Sequence, residues 1–493
     1  MGKQKRYMAL DFGAASGVAM CGAFDGAKLS TEVLHRFPVN ATAMLNVRYW
    51  DFPAMLINAK KGLSLYTAKH GPEVAGVAVD SWGCDFGLLD KTGHLLSNPV
   101  SHLDPRTRDM MDRLHGTVPE RSLYQRTGIK SRREVTLFQL YSMAMANSPL
   151  LDKAVTMLMI ADLVSYCLSG TPVQEYTLAT TTGMYDAENM DWSRDIILSA
   201  KIPPVMMPEI VAPGTMIGPM LDSVAAECGM GQVPIIAPGA HSFAGAVAAT
   251  PAKGEDWITI ASGDWNQVTV EVSAPIINDA AFAAGFTNEG GVDGSIRFLK
   301  GIMGFIPLEE CVKVWSREDG RELDVGAILE LADAAHPLER VIDPDHPKIY
   351  ELRPMPDLIN ELLAESGQPV CETRSDMVRL CLDSMILTHR HAIEQLVELT
   401  DRKYSVIHVV GWGSHVRFLT QSLADATGYP VMAGPVEAKA VGNILLQAIA
   451  LGDIGSLAQA RDVVRDSFTI ERFEPSDDTG KWDEAYERFL RFL

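Results

Sequence analysis

Two segments of this chain, about half its length apart, share one pattern of apolar strands around a turn of small residues. The first is YMALDFGAASGVAM, residues 7–20, and the second is WITIASGDWNQVTV, residues 257–270. In each, an apolar run of strand length enters a turn of Gly, Ala and Ser, carries one carboxylate, and leaves as a second apolar run. Small residues there let backbone N–H groups approach an anion closely. The repeat predicts two similar domains, each with a hairpin that is a phosphate-loop candidate.

Either hairpin alone is equally consistent with a plain turn that binds nothing, because Gly and Ser turns join strands in many proteins. The pair is more informative than its members. Two such hairpins facing each other across a cleft would hold a polyphosphate between two domains, and this arrangement indicates phosphoryl transfer.

Length and composition favour a two-domain protein with small-molecule ligands. With 493 residues, the chain is too long to form a single core. Its composition, 47% apolar and 22% charged, is ordinary for a globular protein. Its net charge of −20 disfavours nucleic acids and anionic membranes as partners. No run approaches the roughly 20 apolar residues of a membrane helix. The seven cysteines are scattered without metal-ligand spacing, so we expect reduced core thiols and a cytoplasmic location.

An α/β pattern runs along both halves of the chain. Strand-like runs such as Val74 to Val79 alternate with helical stretches at 137–145 and 154–168. In the second half, an amphipathic helix is predicted from Asp376 to Leu399, followed by a strand from Tyr404 to Val410 that breaks into the turn Gly411-Trp-Gly-Ser414. We predict a boundary near residue 248, with domains at 1–248 and 249–493.

Several motifs in register resemble the FGGY carbohydrate kinases, with the rhamnulokinases as the most similar branch. They are the first hairpin, Val79-Asp-Ser-Trp-Gly-Cys-Asp-Phe86, Tyr124-Gln-Arg-Thr-Gly-Ile129, Thr287-Asn-Glu-Gly-Gly291 and Ala433-Gly-Pro-Val-Glu-Ala438. The resemblance runs from about Tyr7 to Ile454. It implies two ribonuclease-H-like domains of the actin, hexokinase and Hsp70 type with a ligand cleft between them. It also implies sugar binding by the N-terminal domain and Mg-ATP binding mostly by the C-terminal one.

The resemblance implies transfer of the γ-phosphoryl of ATP to a primary hydroxyl of a ketose. Such chemistry needs a carboxylate to accept the hydroxyl proton, a carboxylate that organises Mg²⁺, and backbone donors for the phosphates. Asp11 matches the metal-side carboxylate, and its alternative is a turn residue that bonds its own backbone.

The remaining site residues follow from the same match. The sugar-binding positions are Trp82, Gly83, Asp85 and His241, although a core tryptophan and a satisfied turn histidine are the alternatives. The nucleotide-binding positions are Gly13, Ala14, Ala15, Ser16, Gly17, Ser262, Gly263, Glu309, Gly411, Trp412 and Gly413.

Departures from the family pattern cluster on the catalytic and nucleotide side. Where the family has His-Asp-Thr, with the aspartate as general base, this chain has His241-Ser242-Phe243, and a hydroxyl does not accept a proton as a carboxylate does. Asp264 stands where the family has a threonine that would meet phosphate. The other departures are Val18 for an arginine, Gly301 for an asparagine, Glu309 for a glutamine, and Trp412 inside the glycine turn where adenosine would lie.

Two functions from different classes therefore remain open. The first is an active sugar kinase in which Asp264 takes over from the position of Ser242 as base or metal ligand. The second is a catalytically impaired homologue that binds a sugar or sugar phosphate as a regulator. A donor other than ATP is a third, weaker alternative. The resemblance points to a deoxy-ketohexose such as L-rhamnulose or L-fuculose, phosphorylated at O1. It is also compatible with a homodimer, although no apolar stripe in the sequence indicates one.

Overall fold

The computed structural model describes residues 4–350, 353–477 and 479–493. Its strands are β1 (Lys5–Phe12), β2 (Ser16–Phe24), β3 (Leu29–Pro38), β4 (Ala41–Met44), β5 (Val47–Trp50), β6 (Gly76–Ser81), β7 (Phe86–Leu89), β8 (Thr156–Met159), β9 (Gln174–Glu175), β10 (Tyr185–Asp186), β11 (Asp191–Trp192), β12 (Ile210–Val211), β13 (Met216–Pro219), β14 (Pro234–Ile236), β15 (Trp257–Ala261), β16 (Trp265–Val272), β17 (Thr287–Gly290), β18 (Ile296–Met303), β19 (Val406–Val410), β20 (Val431–Ala433) and β21 (Glu471–Phe473).

The α-helices are α1 (Phe52–His70), α2 (Met110–His115), α3 (Glu120–Thr127), α4 (Thr136–Met145), α5 (Pro149–Lys153), α6 (Ile160–Ser169), α7 (Tyr176–Ala179), α8 (Arg194–Ser199), α9 (Asp222–Cys228), α10 (Ser242–Ala248), α11 (Asp279–Ala283), α12 (Ile306–Asp319), α13 (Val325–Leu329), α14 (Met355–Glu365), α15 (Arg374–Thr400), α16 (Arg417–Thr427), α17 (Ala438–Ala450), α18 (Leu457–Ser467) and α19 (Gly480–Phe489). Within the described ranges, none of these helices is both long enough and apolar enough to cross a bilayer.

The chain forms two compact units that do not follow the chain order strictly. The first unit contains the residues up to Pro251 together with 271–298 and 437–468, and the second contains 252–270, 299–436 and the residues from Thr469 onward. This division differs from the predicted boundary at residue 248, because two segments of the second half, including α17 and α18, pack in the first unit.

A six-stranded sheet organises the first unit, with the order β13-β14-β6-β1-β2-β3. β1 pairs antiparallel with β2 and parallel with β6, and β6 pairs parallel with β14. Since β1 is central, both of its faces are covered, which explains why its residues from Tyr7 to Phe12 are buried and apolar except for one carboxylate. That carboxylate, Asp11, lies at the end of the strand next to the turn.

The strands of the second unit repeat this topology, in the order β18-β16-β15-β19-β20-β21. β15 pairs antiparallel with β16 and parallel with β19, which pairs parallel with β20. The relation of β15 to its neighbours is the relation of β1 to β2 and β6. The two hairpins seen in the sequence therefore occupy equivalent places in two similar sheets, as predicted.

Most predicted elements are present, and one was wrong in part. The stretch from Ala154 to Leu168, predicted as one helix, is the strand β8 followed by α6. Its first half, TMLM, pairs with β7. A short apolar run does not distinguish a buried strand from a buried helix, and here the pairing with β7 decides the outcome.

Two helices of the first unit cross at glycines. A Cβ placed on Gly442 of α17 would lie 1.9 Å from the carbonyl oxygen of Gly245 in α10. Any side chain at Gly442 would therefore hold the helices apart. The contact fixes α10, which begins at Ser242, against the first turns of α17.

Candidate active site

The first hairpin turn lies at the end of β1. The Gly13 N–H donates to the Ser16 carbonyl at 2.8 Å, and a Cβ on Gly13 would lie 2.9 Å from that oxygen. Ala15 and Ser16 are exposed, whereas Gly17 is buried because the Phe37 ring occupies the space that a side chain would need. The five predicted phosphate-binding residues 13–17 thus form one tight turn.

Two carboxylates lie side by side below this turn. Asp11 on β1 and Asp80 on β6 are direct partners in the parallel register. The exposed fraction is 9% for Asp11 and 1% for Asp80, and Oδ1 of each has no hydrogen-bond partner. Burial raises the pKa of Asp11, and burial together with the Asp11 charge raises the pKa of Asp80 well above its ordinary value. A bound proton or cation would therefore stabilise this pair of buried carboxylates.

Helix α17 holds Asp80 in place. Asn443 Nδ2 donates to Asp80 Oδ2 at 2.6 Å, and Gln447 Nε2 donates to Asn443 Oδ1 at 2.8 Å and to the Met8 carbonyl at 3.0 Å. The helix thus orients one oxygen of Asp80 and leaves the other unpartnered.

The His241–Ser242 turn is tied to the strand that carries Asp80. The Ser81 N–H donates to the Ala240 carbonyl at 2.9 Å, and Ser81 forms a parallel bridge with His241. Ser242, which is buried, is the first residue of α10. Asp80 and Ser242, the predicted position of the base, are therefore linked through the paired residues Ser81 and His241.

A buried ion pair fixes the His241 ring. Arg297, which is fully buried, donates from Nη2 to Glu289 Oε2 at 2.7 Å and from Nε to the Gly290 carbonyl at 2.9 Å. His241 Nδ1 lies 3.0 Å from both Arg297 Nη2 and Glu289 Oε2. Although burial opposes it, Arg297 and then His241 hold the pKa of Glu289 at about 2, while burial lowers the pKa of His241. Burial therefore favours the neutral form of the His241 ring.

A buried glutamate supports the same turn from behind. Glu175 Oε2 accepts from the N–H groups of Thr177 at 2.8 Å and Ala240 at 3.2 Å, and the His241 N–H donates to Thr177 Oγ1 at 2.9 Å. Glu175 Oε1 has no partner. Burial raises the pKa of Glu175 to about 7, although these hydrogen bonds oppose the shift.

The predicted sugar-binding residues follow β6. Asp85 is fully buried, and its Oδ2 accepts from Trp50 Nε1 at 2.7 Å and Trp82 Nε1 at 2.9 Å, and contacts His102 Nδ1 at 2.7 Å. Gln139 Nε2 donates to the other oxygen at 3.1 Å. The carboxylate is thus satisfied by protein groups and orients the Trp82 ring, which packs 4.7 Å from the Trp50 ring.

Position 83 has no room for a side chain, because a Cβ on Gly83 would lie 2.9 Å from Thr181 Oγ1. The next residue, Cys84, has φ of 107°, a backbone conformation that is strained for a residue with a side chain. Thr136 Oγ1 and Gln139 Nε2 donate to its carbonyl at 2.8 and 3.1 Å and hold this bend. Cys84, Asp85 and His102 also lie close enough together for a metal ion, but the four donors on Asp85 satisfy its carboxylate without one.

The second hairpin turn has an equivalent place in the second unit. The Gly263 N–H donates to Asn266 Oδ1 at 2.9 Å, and the Gly263 and Asp264 carbonyls accept from the Phe305 and Gly304 N–H groups, each at 3.1 Å. These bonds hold the turn against the start of α12.

Two acids meet at this turn. Glu309, in the first turn of α12, interacts with Asp264, and burial followed by the Asp264 charge raises the pKa of Glu309 to about 7. The resemblance implies that both positions depart from the family pattern. The structure places the two acids next to each other, at the turn predicted to meet phosphate.

The glycine turn after β19 packs on the second hairpin. A Cβ on Gly411 would lie 2.6 Å from the Ser262 carbonyl oxygen, and one on Gly413 would lie 2.2 Å from Ser262 Oγ. Between them, the partly exposed Trp412 ring contacts Phe305 edge-on at 4.8 Å. Ser262, Gly263, Glu309, Gly411, Trp412 and Gly413 are thus brought together in the second unit.

The comparison with protein families decides the ancestry of this arrangement. Residues 7–248 match the N-terminal domain and residues 258–451 the C-terminal domain of the FGGY family of carbohydrate kinases. This chain belongs to the FGGY family. Rhamnulokinases from Bacteroides thetaiotaomicron and Pectobacterium carotovorum are each 34% identical, over 99% of both chains for the first and over 97% of this chain and 95% of the other for the second.

Solved structures confirm the FGGY fold. A gluconate kinase from Lactobacillus acidophilus superposes with a TM-score of 0.81 at 15% identity, covering 99% of this chain and 97% of the other. A xylulose kinase from the same organism gives 0.79 at 14% identity with the same coverage. The prediction of two actin-like α/β domains is therefore confirmed, and the family supports a carbohydrate kinase.

Sequence reasoning missed the residues that orient the site. Asp80 and Glu289 lay inside quoted motifs, but no role was assigned to them. Arg297, Glu175 and Asn443 gave no local signal, since each acts on a residue far away in the chain. The resemblance implies that Val18 replaces a phosphate-facing arginine. In the structure, the Val18 side chain is buried and is the cross-strand partner of Asp11.

Proposed function

We propose that this protein transfers the γ-phosphoryl of ATP to a primary hydroxyl of a ketose. First-unit residues bind the sugar, and second-unit residues bind the nucleotide. The sugar oxygen attacks the γ-phosphorus, the bond to the bridging oxygen breaks, ADP leaves, and the hydroxyl proton passes to a protein carboxylate. L-rhamnulose and L-fuculose, phosphorylated at O1, are the favoured substrates, because rhamnulokinases are similar to this chain over nearly its whole length.

The observation that carries this proposal is the Asp11–Asp80 pair beside the His241–Ser242 turn. Both carboxylates have a buried oxygen that no described residue satisfies. Hard divalent cations prefer carboxylate oxygens, so the donor set fits Mg²⁺, with Asp11 and Asp80 as the residues that would hold it. Bound there, Mg²⁺ would neutralise charge on the transferred phosphoryl group. A sugar-binding relic has no need of such a pair.

The sugar side supports the same function. The ring of His241 is held in place by Arg297 and Glu289, and Trp82 is held by Asp85, so both side chains are preorganised rather than mobile. We propose that His241, Gly83 and Trp82 contact the sugar and that Asp85 positions Trp82.

Asp264 is the proposed base in place of the family's aspartate. Ser242 has no acidic group, and the first unit contributes no carboxylate at that position. Asp264 contacts Glu309, and a proton or cation shared by the two acids would reduce their repulsion of ATP.

The test is an ADP-release assay with Mg-ATP and a panel of ketoses. Asp264→Asn should lower kcat by about 10²-fold or more, the contribution typical of a general base. Asp256→Asn, a change at an exposed acid just before β15, is the matched control and should leave kcat unchanged. Ser242→Asp in the Asp264→Asn background should restore turnover, because it returns a carboxylate to the family's position.

The outcomes separate the two functions. Turnover that survives Asp264→Asn would refute Asp264 as the base. No turnover of any ketose by the native chain, with calorimetric ketose binding intact, would refute the kinase and establish the sugar-binding alternative.

A further inference from the structure

A polar stripe on α17 runs over the central strand of the first unit. Lys439, Asn443 and Gln447 are four residues apart, so they share one face of the helix at steps of about 6 Å. Gln447 contacts the Met8 carbonyl near the start of β1, and Asn443 contacts Asp80, the register partner of Asp11 near its end. The helix therefore runs antiparallel to β1, and Lys439, one step further along the stripe, lies toward the end of β1 that carries Asp11.

The charges around Asp11 agree with this placement. After burial, the positive charge of Lys439 is the largest influence on the pKa of Asp11, and it lowers that pKa. The same charge acts on Asp80 and His241. The Lys439 ammonium therefore lowers the pKa of three groups of the candidate site: Asp11, Asp80 and His241.

The ammonium is held on the side of Ser242. Lys439 Nζ lies 5.0 Å from the centre of the Phe243 ring, a distance typical of a cation–π contact. Phe243 follows Ser242 in α10, and the glycine crossing at Gly245 and Gly442 fixes α10 against α17. The position of Lys439 is thus set by backbone packing as well as by its own contacts.

Lys439 differs from two nearby arginines, which each form an ion pair with a glutamate. Arg36, on β3 opposite Val18, donates to Glu437 at 2.7 Å, and Arg297 is paired with Glu289. Among residues 4–350, 353–477 and 479–493, no carboxylate forms an ion pair with Lys439, and its side chain is partly exposed. A lysine with three free donors beside a carboxylate pair suits a ligand that carries both negative charge and a bound cation.

We propose that Lys439 is the phosphate-facing cation of the first unit and contacts the phosphoryl group that is transferred to the sugar. The Lys439 ammonium would then neutralise part of the charge of that group, together with a metal ion that Asp11 and Asp80 would hold. This role rests on the proposed kinase function. It also supplies a cation close to the place where Val18 provides none, since Val18 and Asp11 are cross-strand partners.

The test compares Lys439→Gln, Lys439→Met and Lys439→Arg, with Lys91→Gln at an exposed turn as the matched control. Calorimetry measures the affinities for Mg-ATP, Mg-ADP and the ketose, and the coupled assay measures kcat. Lys439→Gln and Lys439→Met should lower kcat by about 10²-fold and weaken Mg-ATP binding more than Mg-ADP binding, because only ATP carries the transferred phosphoryl. Lys439→Arg should retain most of both, and ketose affinity should change less than about twofold.

Two results would overturn the proposal. One is an unchanged kcat and an unchanged ratio of Mg-ATP to Mg-ADP affinity in Lys439→Gln. The other is an equal loss of all three affinities with a lower melting temperature, which means that Lys439 only stabilises the fold. Failure of the kinase function itself is distinguishable, because the native chain would then neither bind Mg-ATP nor turn over a ketose.

Discussion

Replacing Glu175 with glutamine should remove a pH-dependent loss of stability from this protein. The Glu175 carboxyl is fully buried, and burial raises its pKa from 4.5 to about 7. Between these values the folded chain keeps the proton and the unfolded chain releases it, so the free energy of unfolding falls as the pH rises. At about 1.36 kcal/mol for each pH unit, the stabilisation present below pH 4.5 falls by about 3 kcal/mol once the pH passes 7.

The glutamine variant keeps an oxygen that accepts from the Thr177 and Ala240 N–H groups but never ionises. The assay is urea unfolding of both proteins at several pH values between 5 and 8, with Glu188→Gln at an exposed position as the control. The variant should gain stability relative to the native chain by about 1 kcal/mol for each pH unit over most of this range, and Glu188→Gln should not.

Parallel stability curves for the native chain and Glu175→Gln would refute the reasoning. They would mean that the native carboxyl ionises in the folded state at its ordinary pKa. Asp162, whose pKa burial and the Glu175 charge also raise, contributes with the same sign and remains in both proteins. The difference between the two curves therefore measures the effect of the Glu175 charge, including the part of the Asp162 shift that this charge causes.

Three further outcomes are expected. Gly442→Ala should destabilise the fold by about 1–3 kcal/mol or more, measured by urea unfolding, since its Cβ would lie 1.9 Å from the Gly245 carbonyl oxygen; a neutral result would mean that α10 and α17 do not cross as described. Asp85→Asn should lower the pKa of His102, which Asp85 now raises against the effect of burial, and an unchanged histidine titration by NMR would contradict that contact. Glu289→Gln should cost about 3–5 kcal/mol, because it leaves the buried Arg297 without its carboxylate, and a smaller loss would mean that water reaches the guanidinium.

The repeated hairpin pattern was sufficient to predict two similar α/β domains, and the motifs were sufficient to identify the family. Strand, turn and helix signals are local, so segments such as α15 and β19 could be located within a few residues. The stretch before α6 could not, because pairing with β7 made its first half a strand. The assignment of α17 to the first unit was equally invisible, since no local signal says which sheet a helix packs on.

The sequence by itself determined the chemical groups available: one carboxylate in each hairpin, Ser242 after His241, and Glu309 in the second half of the chain. Tertiary structure alone decided which groups act together. It made Asp80 the partner of Asp11 through strand register, placed Asp264 against Glu309, and brought Lys439 over β1 from more than 400 residues away. The physical reason is that register and helix packing are set by burial of the whole apolar surface, which no short segment contains.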